Sequence, residues 1–127
     1  VGYRAKAVKT ASLSVLDGKI DFDFLKKTDY NTAKKELTKV FGIGNKVADC
    51  ILLFSLEKLE AFPLDRWMLR ILQKYYSNEF QISTITLTEK TYERLHENAV
   101  EYFGSYAGYA QQFLFKMERE MYKKKWL

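Results

Sequence analysis

One cysteine and one histidine in 127 residues close off several kinds of chemistry. The lone Cys50 excludes an internal disulfide and any all-cysteine cluster, so no four-cysteine iron–sulfur loop can be built from this chain. The lone His96 argues against a histidine-based zinc site and reads as a solvated helix position. No apolar run approaches membrane-spanning length, and no signal peptide is visible. No internal repeat and no low-complexity stretch stands out. The chain opens on Val1-Gly2-Tyr3-Arg4 without a methionine, and it is expected to be cut from something longer.

What is present suits a core. Apolar residues make up 47% and aromatics 16%, enough for one domain or part of one. Lys and Arg number 21 and Asp and Glu 16, a net charge of +5 that is compatible with nucleic acid without demanding it. An intracellular protein is expected.

The informative stretch runs from Val40 to Asp65. Tyr30–Lys39 reads as a helix with Asp29 as its N-cap and Leu37 and Val40 on the apolar side. Gly42 and Gly44 then break the pattern around Ile43, making a turn too tight for side chains at either position. Asn45 caps a second helix to about Leu56, with Val47, Ala48, Ile51 and Leu52 suited to burial. Helix, glycine turn and helix form a helix-hairpin-helix over about residues 30–56. Amides at the second helix's N-terminus favour an anion, which a basic protein could draw from a DNA phosphate. The plainer reading is a short inter-helix turn.

Lys46 lies in the first turn of that second helix, with Cys50 and Phe54 on the same face at i+4 and i+8. Nineteen residues later comes Asp65, just past Pro63, the single proline. Phe62 precedes that proline and favours extended backbone, which places Asp65 at the start of a helix over Arg66–Tyr76. An amine and a carboxylate meeting in one cleft suit covalent amine chemistry: a nucleophile, and a group to stabilise developing positive charge. A surface lysine and a helix-capping aspartate are the ordinary alternatives.

Elsewhere the chain reads as all-α, roughly six or seven helices. Tyr3–Leu16 is expected to turn Val8, Ala11, Val15 and Leu16 toward the core and to stop at Asp17-Gly18. Asp21–Lys27 forms a short helix anchored by Phe22, Phe24 and Leu25. Ser77–Leu87 reads as a loop, because the Thr-Ile-Thr alternation at 84–86 has no partner strand. Thr86-Leu-Thr-Glu89 resembles a capping box opening a helix to about Tyr102. After a break at Gly104–Gly108 the last helix runs over Tyr109–Tyr122, followed by the basic tail Lys123–Lys125. In that last helix Gln111 and Phe115 are i,i+4 neighbours, able to act on one ligand together, and an amide suits a purine edge. A polar surface Gln and a core Phe are the alternative.

Gly-Ile-Gly-Asn-Lys-Val-Ala-Asp-Cys followed by Phe-Pro-Leu-Asp resembles the helix-hairpin-helix DNA glycosylase superfamily, and within it the 8-oxoguanine DNA glycosylase/AP lyases. The resemblance spans Gly2 to Glu118. It implies that Lys46 is the Schiff-base lysine and Asp65 the catalytic aspartate, and that Cys50 packs on one face of the extruded base. Phe54 joins the pocket lining, Gln111 reads the base's Watson–Crick edge, and Phe115 stacks opposite the cysteine. It further implies that Tyr3 wedges into the duplex and that Arg4 bonds the orphaned cytosine. Flipping a base leaves a hole that a ring can fill and acceptors that an arginine can satisfy. The resemblance also implies that amides at Gly42, Gly44 and Lys46 hold a phosphate, and that the carbonyls of Thr38, Val40 and Ile43 carry a structural Mg²⁺, Na⁺ or K⁺. No other cofactor, and no iron–sulfur cluster, is required.

The implied reaction is flipping of 8-oxoguanine opposite cytosine, cleavage of the glycosidic bond through Lys46, and β-elimination at the resulting Schiff base. Lys46 must act as a neutral amine, for which partial burial and basic neighbours are expected. The implied partner is double-stranded DNA carrying the lesion, in nucleoid or nucleus, with no membrane. The chain departs from the family pattern at Phe41, where a proline is usual, at Trp67, where a histidine contacts the phosphate, and at Glu118, where an aspartate partners that histidine. Arg66 or Arg70 is then expected to make the phosphate contact. The family also carries helices before the point where this chain starts. The chain is therefore expected to be the C-terminal portion of the glycosylase domain, completed by the preceding segment of its polypeptide or by a second copy. Three other classes remain open: a non-catalytic helix-hairpin-helix module gripping DNA, another glycosylase specificity of the endonuclease III or adenine type, in which an iron–sulfur loop is common, and a helical interaction domain with no nucleic-acid role.

Overall fold

A computed structural model describes residues 2–82 and 86–125, with the side chains of Tyr3 and Lys125 outside that description. Among the described residues all regular structure is helical: α1 (Tyr3–Leu16), α2 (Phe22–Lys27), α3 (Tyr30–Thr38), α4 (Asn45–Phe54), α5 (Arg66–Phe80), α6 (Glu89–Phe103), a single 3₁₀ turn (Gly104–Tyr106) and α7 (Ala107–Lys125). They fall into two compact units, Val1–Lys58 and Leu59–Leu127.

In the first unit, α3 and α4 are the arms of the hairpin. Asp29 caps α3, its carboxylate accepting from the Thr32 amide at 2.7 Å. That amide, followed by the Lys58 charge, holds the Asp29 carboxyl below its usual value. Buried Ala33 and Leu37 of α3 and Ala48, Leu52 and Leu53 of α4 supply the apolar contact. Val47 is half exposed instead of buried, because it lies on the outer side of the first turn of α4. The arms also share a polar centre. Asp49 is wholly buried and accepts from the Tyr30 hydroxyl at 2.5 Å and the Lys34 ammonium at 3.2 Å.

Of the four residues of α1 expected to face the core, Ala11 is partly covered and the three larger ones are not. Val8 is 65% and Leu16 82% exposed, and Val15 is also exposed. The covered side of α1 is instead its small-residue stripe, Ala7, Thr10, Ala11 and Ser14, at helical spacing. Small side chains let the hairpin come close: a Cβ on Gly42 would lie 2.4 Å from that of Ala7. In α2 only Leu25 is buried, while Phe22 and Phe24 are about half exposed. Six residues give one turn of inward face, and Leu25 fills it.

The second unit has its own core, built from Phe62, Leu64, Met68, Leu69, Leu72, Phe80, Tyr92, Leu95, Ala99, Ala107 and Leu114 among others. Helix α5 outlasts its expected end at Tyr76 and runs to Phe80, with irregular backbone at Tyr76 (φ −134°, ψ 28°). The polar run Ser77-Asn78-Glu79 hides the continuation. It is held by Phe80, 1% exposed, whose ring meets those of Tyr76, Tyr102 and Phe103. Burial within that ring cluster raises the Tyr76 hydroxyl above its usual range. Of the expected loop at 77–87, residues 83–85, including most of the Thr-Ile-Thr run, lie outside the described residues. The cap of α6 is Thr88, accepting from the Thr91 amide at 3.1 Å, two residues later than the expected Thr86–Glu89 box.

Candidate nucleic-acid and lesion-base site

The hairpin turn separates its two glycines. Gly42 has φ +86° and faces Ala7, so a side chain there is both strained and obstructed. Gly44 has φ −93° and open space around its missing Cβ, so the turn does not require a glycine there. The cap of α4 is Gly44 and not Asn45, which is already the first helical residue. No side chain caps this helix end and no acidic residue stands in its first turn, which leaves the terminus electrostatically suited to an anion. The Val40 carbonyl accepts from the Ile43 amide at 3.1 Å and keeps its second lone pair. Phe41 is half exposed, with the Lys6 ammonium 5.0 Å from its ring centre.

Lys46, Cys50 and Phe54 follow one another along one face of α4. Lys46 is exposed, so the expected partial burial of its amine is not found. Cys50 is half-buried and Phe54 is 59% exposed.

The second unit holds the other half of the expected site. Asp65 is the N-cap of α5, its Oδ1 accepting from the Met68 amide at 2.8 Å. The segment leading to it, residues 59–65, is an irregular run between two helices, with Ala61, Phe62, Pro63 and Leu64 all buried. Buried backbone must find partners, and here α6 and α7 supply them. The Gly108 amide donates to the Leu59 carbonyl at 2.8 Å. His96 donates through Nε2 to the Glu60 carbonyl at 3.0 Å, so it is a structural tie and not a solvated position. The Tyr92 hydroxyl accepts from the Leu64 amide at 3.2 Å. Gln111 donates through Nε2 to the Pro63 carbonyl at 3.0 Å and is 6% exposed, not a surface residue. Its Oε1 accepts from Gln112 at 2.5 Å.

One turn further along α7, Phe115 is partly buried, its ring edge-on to Trp67 with centroids 6.5 Å apart. Trp67 also meets Tyr122 edge-on at 5.8 Å. Glu118 does not partner the residue at position 67. It accepts from Lys74 at 3.1 Å and Tyr75 at 2.8 Å, contacts that hold its carboxyl below the usual range. Arg66 and Arg70 are exposed on α5, and Arg4 is exposed on α1. The side chain of Tyr3 lies outside the described residues.

The structure therefore gathers the expected residues into two groups: Lys46, Cys50 and Phe54 with the hairpin in the first unit, and Asp65, Gln111 and Phe115 in the second. The network around residues 59–65 escaped the sequence reading, as did the buried Asp49. Their signal was thin: an Asp set among apolar positions of α4, and a Tyr and a His four residues apart on α6.

No family model matches the chain. It is 34% identical over 119 residues to a probable N-glycosylase/DNA lyase of Methanothermobacter thermautotrophicus, covering 94% of this chain and 35% of that protein. It is 35% identical over 122 residues to N-glycosylase/DNA lyase OGG1 of Arabidopsis thaliana, covering 92% and 33%. Among solved structures it matches the Clostridium acetobutylicum 8-oxoguanine glycosylase/lyase bound to double-stranded DNA containing cytosine opposite 8-oxoguanine. There the TM-score is 0.78 and the identity 34%, over 94% of this chain and 38% of that one. The apo form of the same enzyme gives a TM-score of 0.75. The chain spans about a third of the length of the relatives it matches.

Proposed function

We propose that this chain, a relative of the N-glycosylase/DNA lyases with the helix-hairpin-helix glycosylase fold, carries the catalytic portion of a base-excision repair enzyme acting on 8-oxoguanine opposite cytosine. The observation that carries this reading is the hydrogen bond from Gln111 to the Pro63 carbonyl, two residues before Asp65. A backbone run of two residues joins the carboxylate to the carbonyl that Gln111 grips. A domain that only grips DNA through its hairpin has no use for that arrangement.

The reaction follows from the residue chemistry. DNA enters against the α4 terminus, where the amides of Gly42, Gly44 and Lys46 take a phosphate. Arg66 and Arg70 add phosphate contacts, Tyr3 wedges into the duplex beside the flipped base, and Arg4 hydrogen-bonds the orphaned cytosine. The extruded base sits against Cys50, Phe54 and Phe115, and the Gln111 amide reads its edge. The Lys46 amine attacks C1′ of the sugar, the glycosidic bond breaks, and the base leaves with that electron pair. Asp65 stabilises the positive sugar. The amine nitrogen loses a proton, the C1′–O4′ bond opens with O4′ taking up a proton, and the resulting iminium acidifies the C2′ proton. Its loss breaks the C3′–oxygen bond and nicks the strand.

A hard cation on the carbonyls of Thr38, Val40 and Ile43 would stiffen the turn, and oxygen donors of that kind suit Mg²⁺, Na⁺ or K⁺. No step passes through it. The substrate places the enzyme with the genome, in nucleoid or nucleus.

The test is borohydride trapping by the complete polypeptide on a lesion duplex and an abasic duplex, beside its Lys46→Gln variant. A covalent band on both duplexes that disappears in the variant, with DNA binding retained, is expected. Retained strand nicking by Lys46→Gln would falsify the nucleophile assignment.

A further inference from the structure

We infer that Trp67 is a positioning residue for base selection: its indole fixes the ring of Phe115 at the angle from which that ring stacks on the extruded base. The inference rests on the base-stacking role proposed for Phe115.

Four observations carry it. Trp67 stands two residues after Asp65 in the first turn of α5, so its backbone is fixed by the same cap that holds the carboxylate. Its ring meets Phe115 edge-on, at 6.5 Å and 64°. On its other side Tyr122 meets it edge-on, at 5.8 Å and 81°. Among the described residues, the buried indole Nε1–H has no hydrogen-bond partner.

The last point decides what kind of residue this is. The buried Nε1–H makes no hydrogen bond among the described residues, so the contacts that hold the indole there are ring contacts. A side chain that gripped phosphate would have its donor open to solvent. What holds Trp67 is the row Tyr122–Trp67–Phe115, in which positive ring edges meet negative ring faces at preferred angles. Because Asp65 caps α5, the same row sets Phe115 relative to the carboxylate. Glu118, engaged by Lys74 and Tyr75, adds nothing to the indole.

A ring held at a fixed angle discriminates by stacking, so the effect belongs to base excision. It does not extend to nicking of an abasic site, where there is no base to stack. In the complete polypeptide, Trp67→Leu keeps apolar volume but removes the ring. It should slow excision of 8-oxoguanine about tenfold while abasic nicking stays within about twofold. Trp67→Phe restores a ring edge and should recover most of the loss. Trp67→Leu combined with Phe115→Leu should be no slower than Phe115→Leu alone.

Equal losses on both duplexes, unchanged excision in Trp67→Leu, or additive losses in the double variant would each overturn the inference. Unchanged excision in Phe115→Leu would overturn the stacking role itself, and this inference with it. If Trp67→Leu melts below the assay temperature, Trp67 emission, taken as the difference between the parent and Trp67→Phe, decides instead. It should shift on adding the lesion duplex, and that shift should vanish with Phe115→Leu; no shift in the first protein overturns the inference.

Discussion

The amide nitrogen of Gln111 lies 3.0 Å from the carbonyl oxygen of Pro63, 48 residues away in sequence and two residues before Asp65. One hydrogen bond thus joins the residue proposed to read the base to the segment proposed to hold the carboxylate. Any base that drew the Gln111 amide toward itself would have to compete with, or share, that carbonyl.

Gln111→Ala should therefore have two effects. It leaves a buried carbonyl without its donor, at a cost of about 1–3 kcal/mol. It should also weaken discrimination between lesion and plain duplex more than general DNA affinity. Thermal melts and paired binding titrations check this, and equal losses for both duplexes would remove Gln111 from base reading.

The two hairpin glycines should behave differently. Gly42→Ala meets both a left-handed backbone (φ +86°) and the side chain of Ala7, and should cost more than about 1 kcal/mol. Gly44→Ala meets open space at φ −93° and should change urea stability by less than about 0.5 kcal/mol. Similar losses for the two would show that the turn is set some other way.

The buried Asp49 should punish the loss of one partner more than the loss of both. Lys34→Met leaves a carboxylate, 0% exposed, without its cation, and should cost several kcal/mol, about 3–5 by analogy with other buried pairs. Lys34→Met combined with Asp49→Leu should recover part of that. Urea denaturation of wild type, Lys34→Met, Asp49→Leu and the double variant gives the cycle.

Asp65 both caps α5 and is proposed to stabilise the sugar cation, and Asp65→Asn separates the two. Asparagine caps as well as aspartate, so the melting temperature should hold. Excision should fall by about a hundredfold or more, since the negative charge is gone. Intact excision would leave Asp65 with its capping role alone.

The Glu118 contacts give a pH signature. Tyr75 and Lys74 lower the Glu118 carboxyl, so its contribution to stability is fully present above the unfolded carboxylate range. It is lost as the pH falls through the lower folded value. Glu118 in turn raises Lys74, whose contribution is present below the unfolded lysine range and fades as the pH rises through the folded value. Melting of wild type against Glu118→Gln should show a small gap at neutral pH that closes in acid. A gap that widens in acid would reverse the assignment.

Local sequence determined most of the helices, because caps and breakers act within a few residues: Asp29 starts α3, Asp65 starts α5, and Asp17-Gly18 stops α1. It also placed Lys46, Cys50 and Phe54 on one face of α4, since 3.6-residue periodicity needs no tertiary information. It overstated what apolar residues bury. Val8, Leu16, Phe22 and Phe24 are hydrophobic by composition, but whether such a face is covered depends on what packs there. In α1 the covered face belongs to Ala7 and its small neighbours. Only the tertiary structure decided how residues 59–65 are held. Their partners, Tyr92, His96, Gly108 and Gln111, lie tens of residues downstream, and a hydrogen bond across that separation leaves no periodic trace in the chain. The same holds for Trp67. The sequence shows a tryptophan two residues after Asp65, and packing between α5 and α7 makes it the neighbour of Phe115.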